Sequence, residues 1–417
     1  MAVRIFPWLV PCYLLFFFIC DLFDVRVCRR PKVLAQRIIS AFMIPMVLVV
    51  IYSLVSLDTT LLRQFLPPWG MALLFVLLWR LAAGELLPSI SFPRRVLIIG
   101  NTFNGRKLAQ ALREHTPGKY HFLGIVESED KLSSLEMESD TDVLGKVGDL
   151  PQIVDRYRPQ VMVIALDERR EAFSSERFLD YKLQGLEVYD APDFYERVTG
   201  KILINRLRPS WLLFTCGFHS QGMIRIVKRL LDIILSSLLL ILTSPVILLS
   251  ALLIRLDSEG PILFRQERVG EREKIFKLYK FRTMRADAEQ QTGPIWTKKN
   301  DHRITRIGRF LRQTRIDELP QLVNVFKGEM SLVGPRPERP FFVQKLDRVI
   351  PYYKQRLIVK PGITGWAAVN YRYCGTLRET GEKLGYDLFY IKHMSLALDF
   401  FIALKTINII LFRKGAL

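Results

Sequence analysis

One stretch of the chain, from Lys280 to Pro337, gathers residue types that handle phosphate. Lys280-Phe-Arg282-Thr-Met is followed by Asp301 and Arg303, by arginines at 306, 309, 312 and 315, by the adjacent acids Asp317-Glu318, and by Gly334-Pro335-Arg336-Pro337. A guanidinium fork matches phosphate oxygens bidentately. Arginines three residues apart share a helix face, so several are expected to converge on one side, with Arg312 nearest the acidic pair without flanking it. The bland alternative for each arginine is a stripe facing solvent or lipid headgroups. A carboxylate among so many cations is expected to stay ionised, helped by a helix N-terminus. Such a carboxylate can attack phosphorus, and its neighbour can hold Mg²⁺ against substrate phosphates. Leu319-Pro320 and the apolar residues after it predict that the acidic pair opens a helix with Pro320 in its first turn. Under that reading a simple N-cap is the competing role for Asp317.

The rest of the chain must position this cluster. Its 417 residues leave room for two ordinary domains plus membrane segments. Half of the residues are hydrophobic, yet 24% are charged, so apolar and charged blocks are segregated. The net charge of +19 is lopsided, because residues from Gly222 onward hold 34 Lys+Arg against 18 Asp+Glu. Such a field suits nucleic acid, anionic lipid or a polyanionic small substrate. Nucleic acid is disfavoured because the basic half begins with a largely apolar stretch. Five scattered cysteines without a CxxC pair, and five histidines without HxxxH or HxH spacing, speak against a disulfide framework, a zinc site and transition-metal chemistry.

Apolar stretches at Ile5 to Phe23, Ile38 to Leu57 and Leu66 to Ala83 each approach the ~20 residues that cross a hydrocarbon core, predicting transmembrane helices within residues 1–88. Arg26, Arg29, Arg30 and Lys32 place the first loop in the cytoplasm, the N-terminus outside and residue 85 onward inside. A further apolar run spans Leu230 to Leu256, with Arg225, Lys228 and Arg229 before it and Arg255, Arg265 and Arg268 after it. A full crossing would strand one basic cluster on the wrong side, so a re-entrant helix is expected, bent at Ser244-Pro245. Hydroxyls of Thr243 and Ser244 can serve the broken turn.

Between these membrane segments, residues 92–197 alternate short Val/Ile/Leu runs with helical ones: VLIIG at 96–100, FLGIV at 122–126, VMVIAL at 161–166 and LEVYD at 186–190. That pattern predicts a parallel sheet covered on both faces, a Rossmann-like domain. Its first turn, Gly100-Asn-Thr-Phe-Asn-Gly105, puts Thr102 where a dinucleotide fingerprint has glycine, favouring a regulatory, assembly or structural role over cofactor binding. Residues 198–222 read as a linker, with room for a short hairpin. Trp296 and Trp366 are candidates to stack on a base, a core or bilayer-interface role being the commoner fate. Residues 386–412 read either as an interfacial amphipathic helix or as packing on the core.

The fold class expected is a membrane protein, α plus α/β: transmembrane helices, a Rossmann-like domain, then a mostly helical catalytic domain over 223–417 with a re-entrant helix at 230–256. KFRTM (280–284), IDELPQL (316–322), SLVGPRPE (331–338), KPGITGWA (360–367) and YDLFYIKHMSL (386–396) resemble the bacterial sugar transferases, monotopic phosphoglycosyl transferases acting on polyprenyl phosphate. The likeness covers essentially all of 225–417, and the upstream arrangement is similar to long members that initiate exopolysaccharide, capsule or O-antigen synthesis, although those commonly carry four or five N-terminal helices.

The resemblance implies that Asp317 attacks the β-phosphate of a UDP-sugar, expelling UMP, and that undecaprenyl phosphate then takes the phosphosugar at the cytoplasmic face of the inner membrane. It implies Mg²⁺ at Glu318, an acceptor-phosphate role for Arg312, phosphate support from Lys280 and Arg282, and uridine diphosphate held by Pro335, Arg336 and Pro337, with Asp301 and Arg303 as further substrate-binding candidates. Ser244-Pro245 resembles the break of the family's re-entrant anchor, and a homodimer through the middle domain is compatible with it. Two other readings remain: an NAD-dependent nucleotide-sugar oxidoreductase, disfavoured by Thr102 and by the lack of a Ser/Tyr-x-x-x-Lys relay, and a non-catalytic scaffold in polysaccharide export.

Overall fold

A computed structural model describes residues 13–20, 22, 31–56, 60–86, 93–115, 118–127, 143–166, 175–204, 215, 217, 222–285, 301, 303–371 and 376–412. The chain divides into two compact units, Met1–Ser91 with Ala403–Lys414, and Phe92–Ile402 with the last three residues.

The first unit is helical. Residues 13–19 form part of a helix, followed by α1 (Pro31–Ser56) and α2 (Thr60–Leu86). Ile38, Ala41 and Phe42 of α1 are buried with Cys20 and Leu22, and Arg37 donates to the Cys20 carbonyl at 2.9 Å. Of the three spans expected here, Leu34–Leu54 is long and apolar enough to cross a membrane, while the apolar part of α2 is the shorter Leu66–Trp79. The first expected span lies mostly outside the described residues.

In the second unit, five parallel strands form a sheet of order β3-β2-β1-β4-β5: β1 (Arg94–Ile99), β2 (Tyr120–Glu127), β3 (Val143–Lys146), β4 (Val161–Ile164) and β5 (Glu187–Asp190). Side chains alternate across a strand, and β1 uses this fully. Val96 and Ile98 pack under α3 (Phe103–His115) and α6 (Ala191–Thr199) through Leu108, Leu112 and Phe194. Leu97 and Ile99 pack on the opposite face under α4 (Leu150–Tyr157) and α5 (Ser175–Leu183) through Ile153 and Phe178. In the first turn, Thr102 Oγ donates to the Ala165 carbonyl at 2.6 Å, and the Asn101 amide donates to Glu127 at 2.8 Å. Thr102 therefore ties β1 to the end of β4 across the crevice where doubly wound sheets take ligands.

The segment predicted as a linker is built into the structure where it is described. Ile202 and Ile204 are buried with Leu384, Leu388 and Tyr390, and Ile202 N–H donates to Gly385 O at 3.0 Å. The indole of Trp366 donates to Gly200 O at 2.7 Å and stacks on Phe389, which takes this residue away from base stacking. Trp296 lies outside the described residues. Glu196, buried on α6, accepts from Lys392 at 2.7 Å and from His393 Nε2 at 2.5 Å. Both partners sit at the end of α12 (Leu377–Lys392), whose burial favours core packing over an interfacial role for this part of the C-terminal segment.

The C-terminal region opens with α7 (Gly222–Asp257), a continuous helix of 36 residues. Pro245 deprives Ile241 O of its helical donor, and Ser244 Oγ supplies a bond to that oxygen at 2.8 Å. An antiparallel hairpin follows, β6 (Leu263–Val269) with β7 (Ile275–Phe281), then α8 (Arg306–Thr314) and α9 (Gln321–Lys327). Parallel strands β8 (Ser331–Val333) and β9 (Gly362–Thr364) flank α10 (Pro340–Asp347), and α11 (Trp366–Asn370), α12 and the first residues of α13 (Leu396–Leu411), up to Ile402, complete the region. Both ends of α7 are fastened to this one body. Arg229 donates to Val325 O and Phe326 O, while at the far end Ile254 packs with Phe281 and Leu311 and Asp257 accepts from Ile307 N–H. Most of the large apolar side chains between them, Leu238 to Leu249, are exposed.

Replacing Glu196 by Ala would leave the Lys392 ammonium buried without its carboxylate, a change that typically costs about 3–5 kcal/mol. We expect Glu196→Ala to lower the unfolding temperature of the second unit by several degrees, while Glu196→Gln retains part of the loss because it still accepts. Differential scanning calorimetry of the purified chain in detergent measures both.

Candidate active site

The acidic pair sits between two helices whose ends are set by local chemistry. Thr305 caps α8 by accepting from Gly308 N–H at 3.0 Å. Gly308 permits α8 to lie against the KFRTM segment, since a Cβ there would come within 2.2 Å of Thr283 O. Arg315 ends α8 in the left-handed conformation, φ 60°, and turns the chain into a tight 3₁₀ turn, Ile316–Glu318. Pro320 then caps α9 from outside, so Asp317-Glu318 precedes that helix rather than opening it, and Asp317 is not an N-cap. Asn324, enclosed within α9, donates to Lys277 O and Glu329 and accepts from Tyr279 N–H, locking α9 to β7. In a 3₁₀ turn adjacent side chains diverge by about 120°, so the two acids face different neighbours.

Glu318 faces cations. Arg336 donates to it through both Nη atoms, at 2.7 and 3.3 Å, Lys280 lies at 3.4 Å and Arg315 at 3.6 Å. Burial pushes the Glu318 carboxyl up, but Arg336 and Lys280 outweigh it and hold it well below the usual range. Asp317 is also buried, and its Oδ1 has no hydrogen-bond partner among the described residues. Burial, then the charge of Glu318, raise its pKa, and Lys280, Arg312 and Arg336 offset this only in part. The expectation that surrounding arginines hold Asp317 in the ionised form thus applies to its neighbour: the cations are committed to Glu318. Burial likewise lowers the pKa of Lys280.

Arg336 is itself held from behind. Its carbonyl accepts from Arg356 Nη2 at 2.8 Å, and Arg356 is paired with Asp387 at 2.8 Å in the protein interior. The SLVGPRPE and KPGITG segments meet backbone to backbone at three glycines. A Cβ on Gly362 would lie 2.1 Å from Gly334 N, and one on Gly365 would lie 2.1 Å from Gly334 O. Pro335 O accepts from Gly362 N–H and Pro337 O from Arg268, so these prolines are buried supports of the Arg336 loop.

The residues singled out from sequence are therefore brought together unevenly. Asp317, Glu318, Lys280 and Arg336 form one cluster, and Arg312, which donates to Thr283 Oγ at 2.8 Å, is close enough that Asp317 is the strongest charge acting on it. Asp301 and Arg303 form a two-point pair beside Arg312. Arg282 points elsewhere, donating to Ser258 O and Oγ at the end of α7. Ser244 and Pro245 stay within α7, with the local role already given. The expected convergence of arginines fails because three-residue spacing drifts by about 60° per step on an α-helix: on α8 Arg306 and Arg309 are exposed while Arg312 is half-buried, and Arg303 precedes the helix. Asn324, Arg356 and Asp387 are not evident from the sequence: Asn324 and Asp387 each interrupt an apolar run, and Arg356, after Lys354-Gln355, carries no such signal.

Mg²⁺ would find a usable donor set here. Among the described residues no group of three or more metal-ligating side chains occurs, but Mg²⁺ commonly takes one or two carboxylates with substrate phosphates completing its shell. Asp317 Oδ1 is unpartnered and Glu318 Oε2 has a single long bond at 3.3 Å, so both can be offered to a hard cation.

Glu338, just past Arg336, supplies a pH test. Burial pushes its carboxyl up, yet Lys383, Arg356 and Arg268 bring it down to about 2 from 4.5. A depressed folded-state pKa adds stability above the unfolded-state value, and that stability fades as pH falls from 4.5 toward about 2. Thermal unfolding across this range should show the native chain more stable than Glu338→Gln near neutrality, with the margin shrinking as acid is added. A margin that does not change with pH would contradict the assignment.

The family model for bacterial sugar transferase matches residues 223–413, the region that holds this cluster. A UDP-N-acetylgalactosamine-undecaprenyl-phosphate N-acetylgalactosaminephosphotransferase of Aeromonas hydrophila is 43% identical over 242 residues, 58% of this chain and 56% of that protein. A UDP-glucose:undecaprenyl-phosphate glucose-1-phosphate transferase of Klebsiella pneumoniae is 36% identical over 324 residues, covering 75% of this chain and 67% of its own length. An exopolysaccharide production protein of Rhizobium leguminosarum is 42% identical over 187 residues, 44% of this chain and 94% of that protein. The chain thus spans little more than half of the Aeromonas relative and nearly all of the Rhizobium one. On the matched motifs and these relatives, the chain belongs to the bacterial sugar transferase family.

Proposed function

We propose that this chain transfers a sugar 1-phosphate from a UDP-sugar to undecaprenyl phosphate and releases UMP, with Asp317 as the nucleophile. The observation that carries the proposal is the contrast within the dyad: Glu318 binds the cations, while Asp317, next to it and buried, keeps a free oxygen. A carboxylate without hydrogen-bond donors to satisfy is the more reactive one toward phosphorus. In the first step Asp317 Oδ1 bonds to the β-phosphorus as the bond from that phosphorus to the bridging oxygen breaks, its electron pair leaving on UMP. In the second, an oxygen of the lipid phosphate bonds to the same phosphorus, and the electrons of the aspartyl ester return to the carboxylate. The product is a lipid-linked diphosphate sugar.

Arg336 and Lys280 face the donor diphosphate in this scheme, and Arg312, with Asp301 and Arg303 fixing its surroundings, faces the acceptor phosphate. Mg²⁺ at Glu318 would neutralise charge on the diphosphate. Arg282 acts at one remove by holding the end of α7. The lipid acceptor agrees with α7, whose two fastened ends and exposed apolar middle support a helix that enters the cytoplasmic leaflet and returns. A straight helix of this length would extend about 54 Å, well beyond the ~30 Å hydrocarbon core. The relatives' names support the acceptor and a UDP-sugar donor, and their two sugars differ. An oxidoreductase role for the sheet domain is opposed by the Thr102 to Ala165 bond across its crevice.

Asp317→Asn should depress UMP release from a UDP-sugar, in the presence of Mg²⁺ and undecaprenyl phosphate, by more than about 1000-fold while leaving the fold intact. Release of UDP in place of UMP by the native chain would contradict the bond cleavage proposed. Activity retained in the variant would remove Asp317 from the mechanism.

A further inference from the structure

The first turns of α7 and strand β8 enclose a second polar cavity, apart from the acidic dyad. Four cations reach it, Arg225, Lys228 and Arg229 from α7 and Lys360 from the loop before β9. Two of them are satisfied internally. Lys228 is paired with Asp399 at 2.5 Å, and Arg229 donates to the Val325 and Phe326 carbonyls. The carboxylates present are partly used as well: Asp232 accepts from Leu332 N–H at 3.0 Å, and Glu271 lies 3.6 Å from Arg225 Nη1.

Three donors remain unmatched among the described residues. Ser331 is completely enclosed, yet its Oγ has no partner. Arg225 Nε is buried without an acceptor. The Lys360 ammonium meets no carboxylate within ion-pair distance, and burial, with the charge of Arg229, lowers its pKa. A hydroxyl, a guanidinium N–H and an ammonium lining one cavity call for an anion with several acceptor oxygens. Val333, Val359 and Met394 supply an apolar part of the lining.

We infer that this cavity binds a phosphate group separate from those processed at Asp317. Its position identifies two sources. Exposed Leu230, Leu231 and Ile234 begin the apolar face of α7 immediately beyond Arg229, so a phospholipid headgroup seated here would lay its acyl chains along that face. Free inorganic phosphate offers the same oxygens without the chains.

The test uses the full chain in detergent, in an Arg336→Gln background that weakens phosphate capture at the dyad. Isothermal titration is run with inorganic phosphate and, separately, with short-chain phosphatidylglycerol below its micelle concentration. Saturable binding of either probe is expected, weakened about tenfold or more by Lys360→Gln and about threefold by Ser331→Ala. Ser331→Ala removes a hydroxyl with no internal bond, so its unfolding temperature should hold, and it carries the test should Lys360→Gln fail to fold. Tighter binding of phosphatidylglycerol assigns the site to a headgroup, and binding of phosphate alone assigns it to the free anion. Absence of saturable binding for both probes, or affinities that neither variant changes, would overturn the inference. UMP release plays no part in the readout, so failure here leaves the role of Asp317 untouched.

Discussion

The two-point bond between Arg336 and Glu318 is the interaction on which the site depends. Two adjacent carboxylates in a buried 3₁₀ turn repel one another, and both lose solvation. Arg336, backed by Lys280 and Arg315, resolves this by neutralising one of them. The other, Asp317, keeps an oxygen without a partner among the described residues, and burial together with the charge of Glu318 raises its pKa. Under the proposed mechanism, a cation placed equally on both acids would leave neither carboxylate free to attack phosphorus. The asymmetry follows from the 120° divergence of neighbouring side chains in a 3₁₀ geometry.

Much of the surrounding fold holds Arg336 at that point. The buried Arg356–Asp387 pair binds its carbonyl, and Glu338 next to it is gripped by Lys383 and Arg268. Three glycines let the strands on either side of α10 approach closely enough to fix the loop. The sheet domain joins the same framework, because Gly200 and Ile202 bond directly to Trp366 and Gly385. The buried Glu196–Lys392 pair, with His393 at its exposed edge, adds a second tie between the sheet domain and α12.

The sequence was most readable where a single physical rule governs. Short apolar runs mark four of the five sheet strands, that of β5 being broken by Glu187, and the 27-residue apolar run marks most of α7. β3, a half-exposed edge strand of four residues, has no such run and went unseen. The β6–β7 hairpin was hidden because Arg265, Glu267 and Arg268 interrupt its apolar residues. The cluster of Lys280, Asp317, Glu318 and Arg336 was legible as residue types and as family motifs, but which carboxylate takes the cations is a matter of side-chain direction, which spacing does not encode. The same gap explains Arg282, which belongs to the end of α7, and Trp366, whose partner at Gly200 lies 166 residues away. At the start of the segment read as a linker, Ile202 and Ile204 are too few to show a period, yet each fills a place in the core beside α12.

The central claim is that Asp317 Oδ1 forms a bond to phosphorus, and mass spectrometry can look for that bond directly. The chain is incubated with a UDP-sugar and Mg²⁺ without lipid acceptor, quenched in acid and digested. The account predicts a sugar-phosphate adduct on the peptide carrying Asp317, matched by an equal amount of UMP and discharged when undecaprenyl phosphate is supplied. UMP formed only after the acceptor is added, with no adduct at any time, or an adduct confined to another residue, would contradict it.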